Sequence, residues 1–164
     1  MLKGEDRQTD EHRRRHPLGR VPVLEDDEGF LFESAALCLQ LGDVYPDAQM
    51  NWPLGTHERG LVYQWTVFAM SELEPAVVEV RRHREDDPAR AQAGVERFET
   101  AAAAIEQALD GNDYLVGGRF SVADLVCGAV LLYAKGTGLT GELPNISAYL
   151  ERLEARPARQ RATA

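Results

Sequence analysis

The sequence predicts an α+β chain in which a β-hairpin and one helix come first and a larger all-helical domain follows. Three observations carry this. Two short β runs, Val21–Leu24 and Phe30–Phe32, flank the turn sequence Glu25-Asp26-Asp27-Glu28-Gly29. A stretch holding Pro46, Pro53 and Gly55 then interrupts the pattern. Beyond it, apolar residues recur at three- and four-residue spacing almost to the end of the chain. The expected organisation is a small α+β domain over 1–44, a linker over 45–55 and a helical domain over 56–164.

Taken in order, residues 1–16 are polar and weakly helical and stop at His16-Pro17, because proline disfavours helix in the residue before it. Their basic run, His12-Arg13-Arg14-Arg15-His16, reads as a solvated helix face. Pro22 removes a ladder donor from the first β run, so it belongs at a strand start, an edge or a cis turn. Glu33-Ser34 opens a helix expected over Ser34–Leu41, with Ala35, Cys38, Leu39 and Leu41 on its apolar side and Gly42-Asp43 as its stop. Thr56 is the expected N-cap of a helix bearing Leu61, Trp65, Phe68 and Ala69. Pro75 should kink or break that helix before Ala76, Val77 and Val80 extend its apolar side. The next helix starts near Pro88, carries Val95, Phe98, Ala102, Ile105 and Leu109, and stops at Asp110-Gly111-Asn112. Ser121 and Asp124 have capping-box spacing, with Phe120 placed to staple onto Leu125. Val122, Leu125, Val126, Ala129, Val130 and Tyr133 follow as one stripe, and a last helix is expected over Pro144–Ala155 before a polar tail.

A chain of 164 residues can bury a substantial core, and its net charge of −9 disfavours a phosphate-tracking surface, so no nucleic-acid partner is expected. Cys38 and Cys127 form no CxxC pair, which leaves a structural zinc or a redox dithiol without support. Both read as buried free thiols in a reducing cytosol. His12 and His16 lie one helical turn apart, but the arginines between them would repel a cation, and no metal is expected. The sequence has no secretory apolar region and no run long enough to span a membrane, so no membrane partner and a cytoplasmic location are expected.

The segment HPLGRVPVLEDDEGFLFES resembles the NP-x-G-x-VP-x-L…ES segment of the glutathione S-transferase family, with His16 where the family often has Asn. GRFSVADLVCGAVL resembles the start of the buried helix of that family's helical domain, and LVYQWTVFAMSELEPAV its first long helix in bacterial members. The resemblance extends from about Lys3 to Arg156. It implies a partial thioredoxin-like region followed by the family's all-α C-terminal domain. It further implies that Val21 offers its backbone N–H and C=O to the cysteinyl part of glutathione and that Pro22 is cis. Ser34 would hold the γ-glutamyl carboxylate through its hydroxyl and N–H, aided by the helix dipole, and Glu33 would face the ammonium group. A plainer reading makes Pro22 a turn former and Ser34 a helix cap. Phe68 is a candidate for the wall of a hydrophobic co-substrate pocket, whereas Ser121 and Asp124 read as a folding device.

Family members begin with a β-α-β unit of roughly 30 or more residues, and 21 residues precede Pro22 here. Met1-Leu2-Lys3-Gly4-Glu5 looks like the stretch just after the family's second strand. The catalytic Tyr, Ser or Cys, which opens the family's first helix, is therefore expected outside this sequence, and no catalytic residue is assigned. Three readings stay open. The first is a homodimeric transferase joining glutathione, as substrate, to small hydrophobic electrophiles once that segment is present. The second is a non-catalytic binding or dimerisation module, and the third an inactive truncated fragment. A two-stranded hairpin is marginal alone, so residues 1–44 should exchange amide hydrogens faster than the helical domain. Uniformly slow exchange over both would contradict this.

Overall fold

The computed structural model describes Gly4 and residues 6–163, so the match at Met1–Glu5 lies outside the described residues apart from Gly4. Contacts divide the chain after Ala48 into two compact units.

The first unit opens with a 3₁₀ turn, Asp6–Gln8, and helix α1, Asp10–Arg15, capped by the Thr9 hydroxyl, which accepts from the His12 N–H at 3.2 Å. Strands β1 (Val23–Asp26) and β2 (Gly29–Phe32) form an antiparallel pair in the register Val23↔Phe32 to Asp26↔Gly29. The loop is thus Asp27-Glu28 alone, shorter than the five-residue turn expected. Asp26 Oδ1 tightens it by accepting from Glu28 N at 2.9 Å and Gly29 N at 3.0 Å. The first strand begins at Val23 rather than Val21, because Pro22 has no N–H to pair.

Helix α2 runs Ser34–Val44, past the expected stop. Gly42 is buried inside it, and the chain leaves the helix only before Pro46, where the residue preceding proline resists helical geometry. Leu37 and Gly42 are the buried positions, while Leu41, expected on the apolar side, is exposed and Cys38 is half-buried.

The second unit begins with an extended stretch fixed to the 115–122 loop. Val122 N donates to Met50 O at 2.9 Å, and the Arg119 guanidinium reaches Gln49 O and Asn51 O while stacking over Trp52. Gly117 makes this approach possible, since its φ is +56° and a Cβ would lie 2.6 Å from the Trp52 ring.

Helix α3 is His57–Phe68, with Thr56 as N-cap accepting from Arg59 N at 3.2 Å. Its buried line is Arg59, Val62, Thr66, Ala69 and Leu73. Leu61, Trp65 and Phe68, expected on the apolar side of this helix, lie to one side of that line and are half-buried. Pro75 neither breaks nor ends the helix. A π turn, Ala69–Leu73, with Glu74 N donating to Ala69 O, places Pro75 in the first turn of α4 (Glu74–His83), where its missing N–H costs little. Ala76, Val77 and Val80 are then buried, as the sequence predicts.

Helix α5, Pro88–Ala108, is capped by Asp87 and runs back along α4. Arg90 pairs with Glu79 at 2.7 Å and Arg97 with Glu72 at 3.6 Å, while Phe98, Ala102, Ile105 and Leu109 are buried as expected. Helix α6, Val122–Gly136, is buried on nearly every side, its outward face being Leu125 and Ala129 from the expected stripe. Helix α7, Pro144–Glu154, is started from α5: the Glu106 carboxylate accepts from Asn145 N and Ile146 N, both at 2.9 Å. The polar tail forms a short helix α8, Pro157–Thr163, with proline at its start.

The α4–α5 contact depends on Gly94. A Cβ there would lie 2.9 Å from Val80 Cγ2, 3.0 Å from Val80 N and 3.1 Å from Ala76 O. Gly94→Ala should therefore lower stability by about 1–3 kcal/mol in urea unfolding, as overpacking does. Gly60→Ala, in α3 with nothing within 4 Å of the new Cβ, should instead be neutral or raise stability by about 0.5–1 kcal/mol.

Candidate functional site

The hairpin gathers the four predicted site residues of the first unit at its open end. Since Val23 pairs with Phe32, the chain enters β1 through Val21 and Pro22 and leaves β2 through Glu33 and Ser34, side by side. The Val21–Pro22 bond is cis, and Val21, Pro22, Glu33 and Ser34 are all exposed. Glu33 has φ +72° and ψ 107°, a backbone conformation that costs a non-glycine residue of the order of 1–3 kcal/mol.

Glu33, not Ser34, occupies the N-cap position of α2, and Ser34 is the first helical residue. The Glu33 carbonyl already accepts from Leu37 N at 2.9 Å, which fixes the helix start one residue earlier than a serine cap would. No side chain caps α2. Thr9, Thr56 and Asp87 do so for α1, α3 and α5, and Glu106 supplies α7. The first-turn N–H groups of α2 are thus left with the positive end of the helix dipole at an exposed edge.

Two residues support this edge that the sequence reading placed on a solvated face. His12 and His16 are buried, unlike the exposed Arg13 and Arg14 between them. His12 Nε2 bonds Arg20 O at 2.8 Å, and His16 Nδ1 accepts from Leu18 N at 3.1 Å while its ring packs on Phe32 at 4.8 Å. They clamp the loop that delivers Val21. Their four-residue spacing was the available signal, and it reports inward packing. Gly19, at φ +61°, is needed in the same loop because a Cβ would meet Arg7 O at 2.5 Å. A cavity of about 300 Å³ lies beside Val21, Pro22 and Val23, walled by His12, Arg15 and Phe30.

In the second unit, Ser121 and Asp124 form the expected capping box and do more than cap. Asp124 is fully buried. Its Oδ2 accepts from Ser121 N at 2.8 Å and the Ser121 hydroxyl at 2.9 Å, and its Oδ1 from Leu115 N at 2.9 Å and the Tyr149 hydroxyl at 3.2 Å. Burial raises its carboxyl above the usual carboxylate range, and these donors partly offset that. Burial, then the Asp124 charge, pushes the Cys127 thiol and the Tyr149 phenol upward, and burial alone raises Cys38. All three stay protonated at neutral pH. Phe68 packs edge-on against Trp65 at 5.5 Å and lines neither this cavity nor the larger one beside α6.

Comparison with known proteins gives the same reading at both ends of the chain. Residues 1–40 match the model of the glutathione S-transferase N-terminal domain, and residues 87–152 that of the C-terminal domain. A glutathione S-transferase of Escherichia coli O157:H7 is 30% identical over 150 residues, covering 90% of this chain and 74% of that protein. The chain belongs to the glutathione S-transferase family. Among solved structures, a glutathione transferase from Methylococcus capsulatus str. Bath superposes with a TM-score of 0.84 at 30% identity, over 92% of this chain and 75% of that one. A sphingomonad glutathione S-transferase complexed with glutathione gives 0.82 at 28% identity, over 92% and 75%. The family's thioredoxin-like and helical parts are thus both represented. No helix among the described residues is long and apolar enough to cross a membrane.

The Asp124 cluster yields a pH prediction. A carboxyl raised in the folded state holds protons the unfolded chain releases from about pH 4 upward, so its contribution to stability is largest below that and falls as pH rises. Asp124→Asn should cost about 2–4 kcal/mol by leaving donors unmatched. The gap between wild type and variant, followed by urea unfolding, should narrow as pH rises from 4 through the raised value.

Proposed function

We propose that this chain is a glutathione transferase-type protein that binds glutathione at the open end of the hairpin. The observation carrying this is that the exposed start of α2 at Ser34, which no side chain caps, lies beside the exposed Val21–Pro22 edge. A carboxylate is the group such a start accepts. The Ser34 N–H and hydroxyl donate to the γ-glutamyl carboxylate, and the dipole of α2 adds to the attraction. Glu33, held at the edge by its positive φ, receives the γ-glutamyl ammonium. The backbone of Val21 pairs with the cysteinyl part of the tripeptide in the manner of an added strand, leaving the thiol free to point away from the hairpin.

In the complete reaction, the glutathione thiolate attacks an electrophilic carbon of a small hydrophobic molecule. A C–S bond forms as the leaving group departs with the electron pair, and the thiol proton passes to solvent. We place this activity in a homodimer in the cytoplasm, where thiols such as Cys38 and Cys127 remain reduced. A second reading, a binding module without catalysis, is favoured by one observation: Cys38, Cys127 and Tyr149 are all shifted away from their anions. Phe68 is proposed for the co-substrate pocket on family resemblance alone.

Calorimetric titration with glutathione tests the binding. Saturable binding at one site per chain is expected, and Ser34→Ala should weaken it roughly tenfold or more, the worth of a hydrogen bond to a charged group. Binding that is absent, or unchanged in Ser34→Ala, would reject the site. Glutathione-dependent release of chloride from a nitro-activated aryl chloride separates the transferase from the binding module.

A further inference from the structure

Strand β2 pairs with β1 on one side, and no element among the described residues pairs with its other side. Alternate residues of an outer strand turn N–H and C=O away from the paired neighbour, so this side offers donors and acceptors to an incoming strand. Such edges are usually guarded by a charged residue, a proline or a bulge. Gly29-Phe30-Leu31-Phe32 has none of these and pairs with β1 residue for residue. Phe30, Leu31 and Phe32 are all exposed, and because successive side chains alternate, the strand is apolar on both faces of the hairpin. The outer side of β1 is the poorer edge. Pro22 lacks an N–H at its start, and His12 and Arg15 wall the cavity beside Val21 and Val23.

The charge at the end of the β2 edge points to the kind of strand it fits. Asp26, Asp27 and Glu28 stand in succession at the tip of the hairpin, exposed and with no cation paired to them among the described residues. Arg15, which lies over the Phe30 ring, is paired with Glu11 at 2.6 Å. A strand laid antiparallel to β2 runs toward this tip, so basic residues after its apolar stretch meet uncompensated carboxylates. A second copy fits less well. Two β2 strands in full antiparallel overlap set Phe30 against Leu31 and Gly29 against Phe32, and the next pair outward is Glu28 against Glu33, like charge against like.

We propose that the outer edge of β2 takes an extended segment of another protein as a third strand, antiparallel to β2, with Lys or Arg following its apolar stretch. Main-chain hydrogen bonds hold the segment and the acidic tip sets its direction.

The probe is the peptide acetyl-Thr-Val-Thr-Val-Lys-Lys-amide, whose first four residues match the length of β2 and whose lysines run on past Gly29. Titrated into the full chain and followed by amide chemical shifts, it should bind saturably, one per chain, and shift the amides of Phe30, Leu31 and Phe32. The same peptide ending in Glu-Glu should bind at least roughly tenfold more weakly, and the double variant Asp27→Lys, Glu28→Lys should invert that preference. Of two peptides N-methylated on alternate strand residues, one should keep binding and the other lose it, because only one set of amides faces β2. The peptide arms stand on wild type alone should the double variant unfold. Equal binding of the lysine and glutamate peptides, equal binding of the two methylated peptides, or shifts that leave β2 untouched overturn the proposal. So does a chain that dimerises in sedimentation and that the lysine peptide converts to monomer, which would assign the edge to a second copy.

Discussion

A single buried carboxylate organises the helical unit. Asp124 sits where three parts of the chain meet and accepts from each: the loop at Leu115, the start of α6 at Ser121 and the middle of α7 at Tyr149. A carboxyl group so far from water is tolerable only when its oxygens are matched by donors, and matching them fixes the separation of those segments to within a hydrogen-bond length. The next links radiate from there. The Cys127 thiol, one turn along α6, donates to Trp65 O and ties α6 to α3, while Glu106 holds the first turn of α7 from α5. The apolar core then fills a frame whose corners polar groups have set.

The hairpin edge proposed for glutathione is built by the opposite arrangement. Where side chains of the helical unit serve the starts of α3, α5, α6 and α7, the hairpin unit leaves the start of α2 without a side-chain cap and at the surface. It also holds Glu33 in a conformation that local preference disfavours. Both features cost stability and neither is needed for the hairpin, whose register is complete between Val23 and Phe32. Departures of this kind, placed together, are where binding free energy can be recovered from a ligand. The buried histidines hold the loop that leads into this edge.

Much of this was legible in the residues, and the misses share a cause. Caps at Thr56 and at Ser121 with Asp124 could be read because they are local, each a short side chain meeting a backbone N–H three residues on. The hairpin and the family motif were legible for the same reason. Facing directions were harder. Trp65 and Phe68 carry more apolar surface than Thr66, yet Thr66 is the one turned inward, because the line through Val62 and Ala69 fits against the neighbouring helices and the aromatic pair does not. Gly42 looked like a stop, but it is buried inside α2, which runs on to Val44. His12 and His16 looked solvated because their neighbours are charged; which side of a two-turn helix faces inward depends on the strand it covers, and that is not written in the helix.

The π turn at Ala69–Leu73 gives the α3–α4 rod a length constraint that a plain helix would not have. Each residue added to or removed from a helix rotates everything beyond it by about 100°. Deleting one residue from the turn would restore α geometry but swing Ala76, Val77 and Val80 off the core and leave Pro75 opposing a carbonyl in a helix interior. Adding one would misplace the same face the other way. In this family member, insertions and deletions should therefore accumulate in the loops after Ala108 and Gly136, and spare these five residues even though most of their side chains could be exchanged.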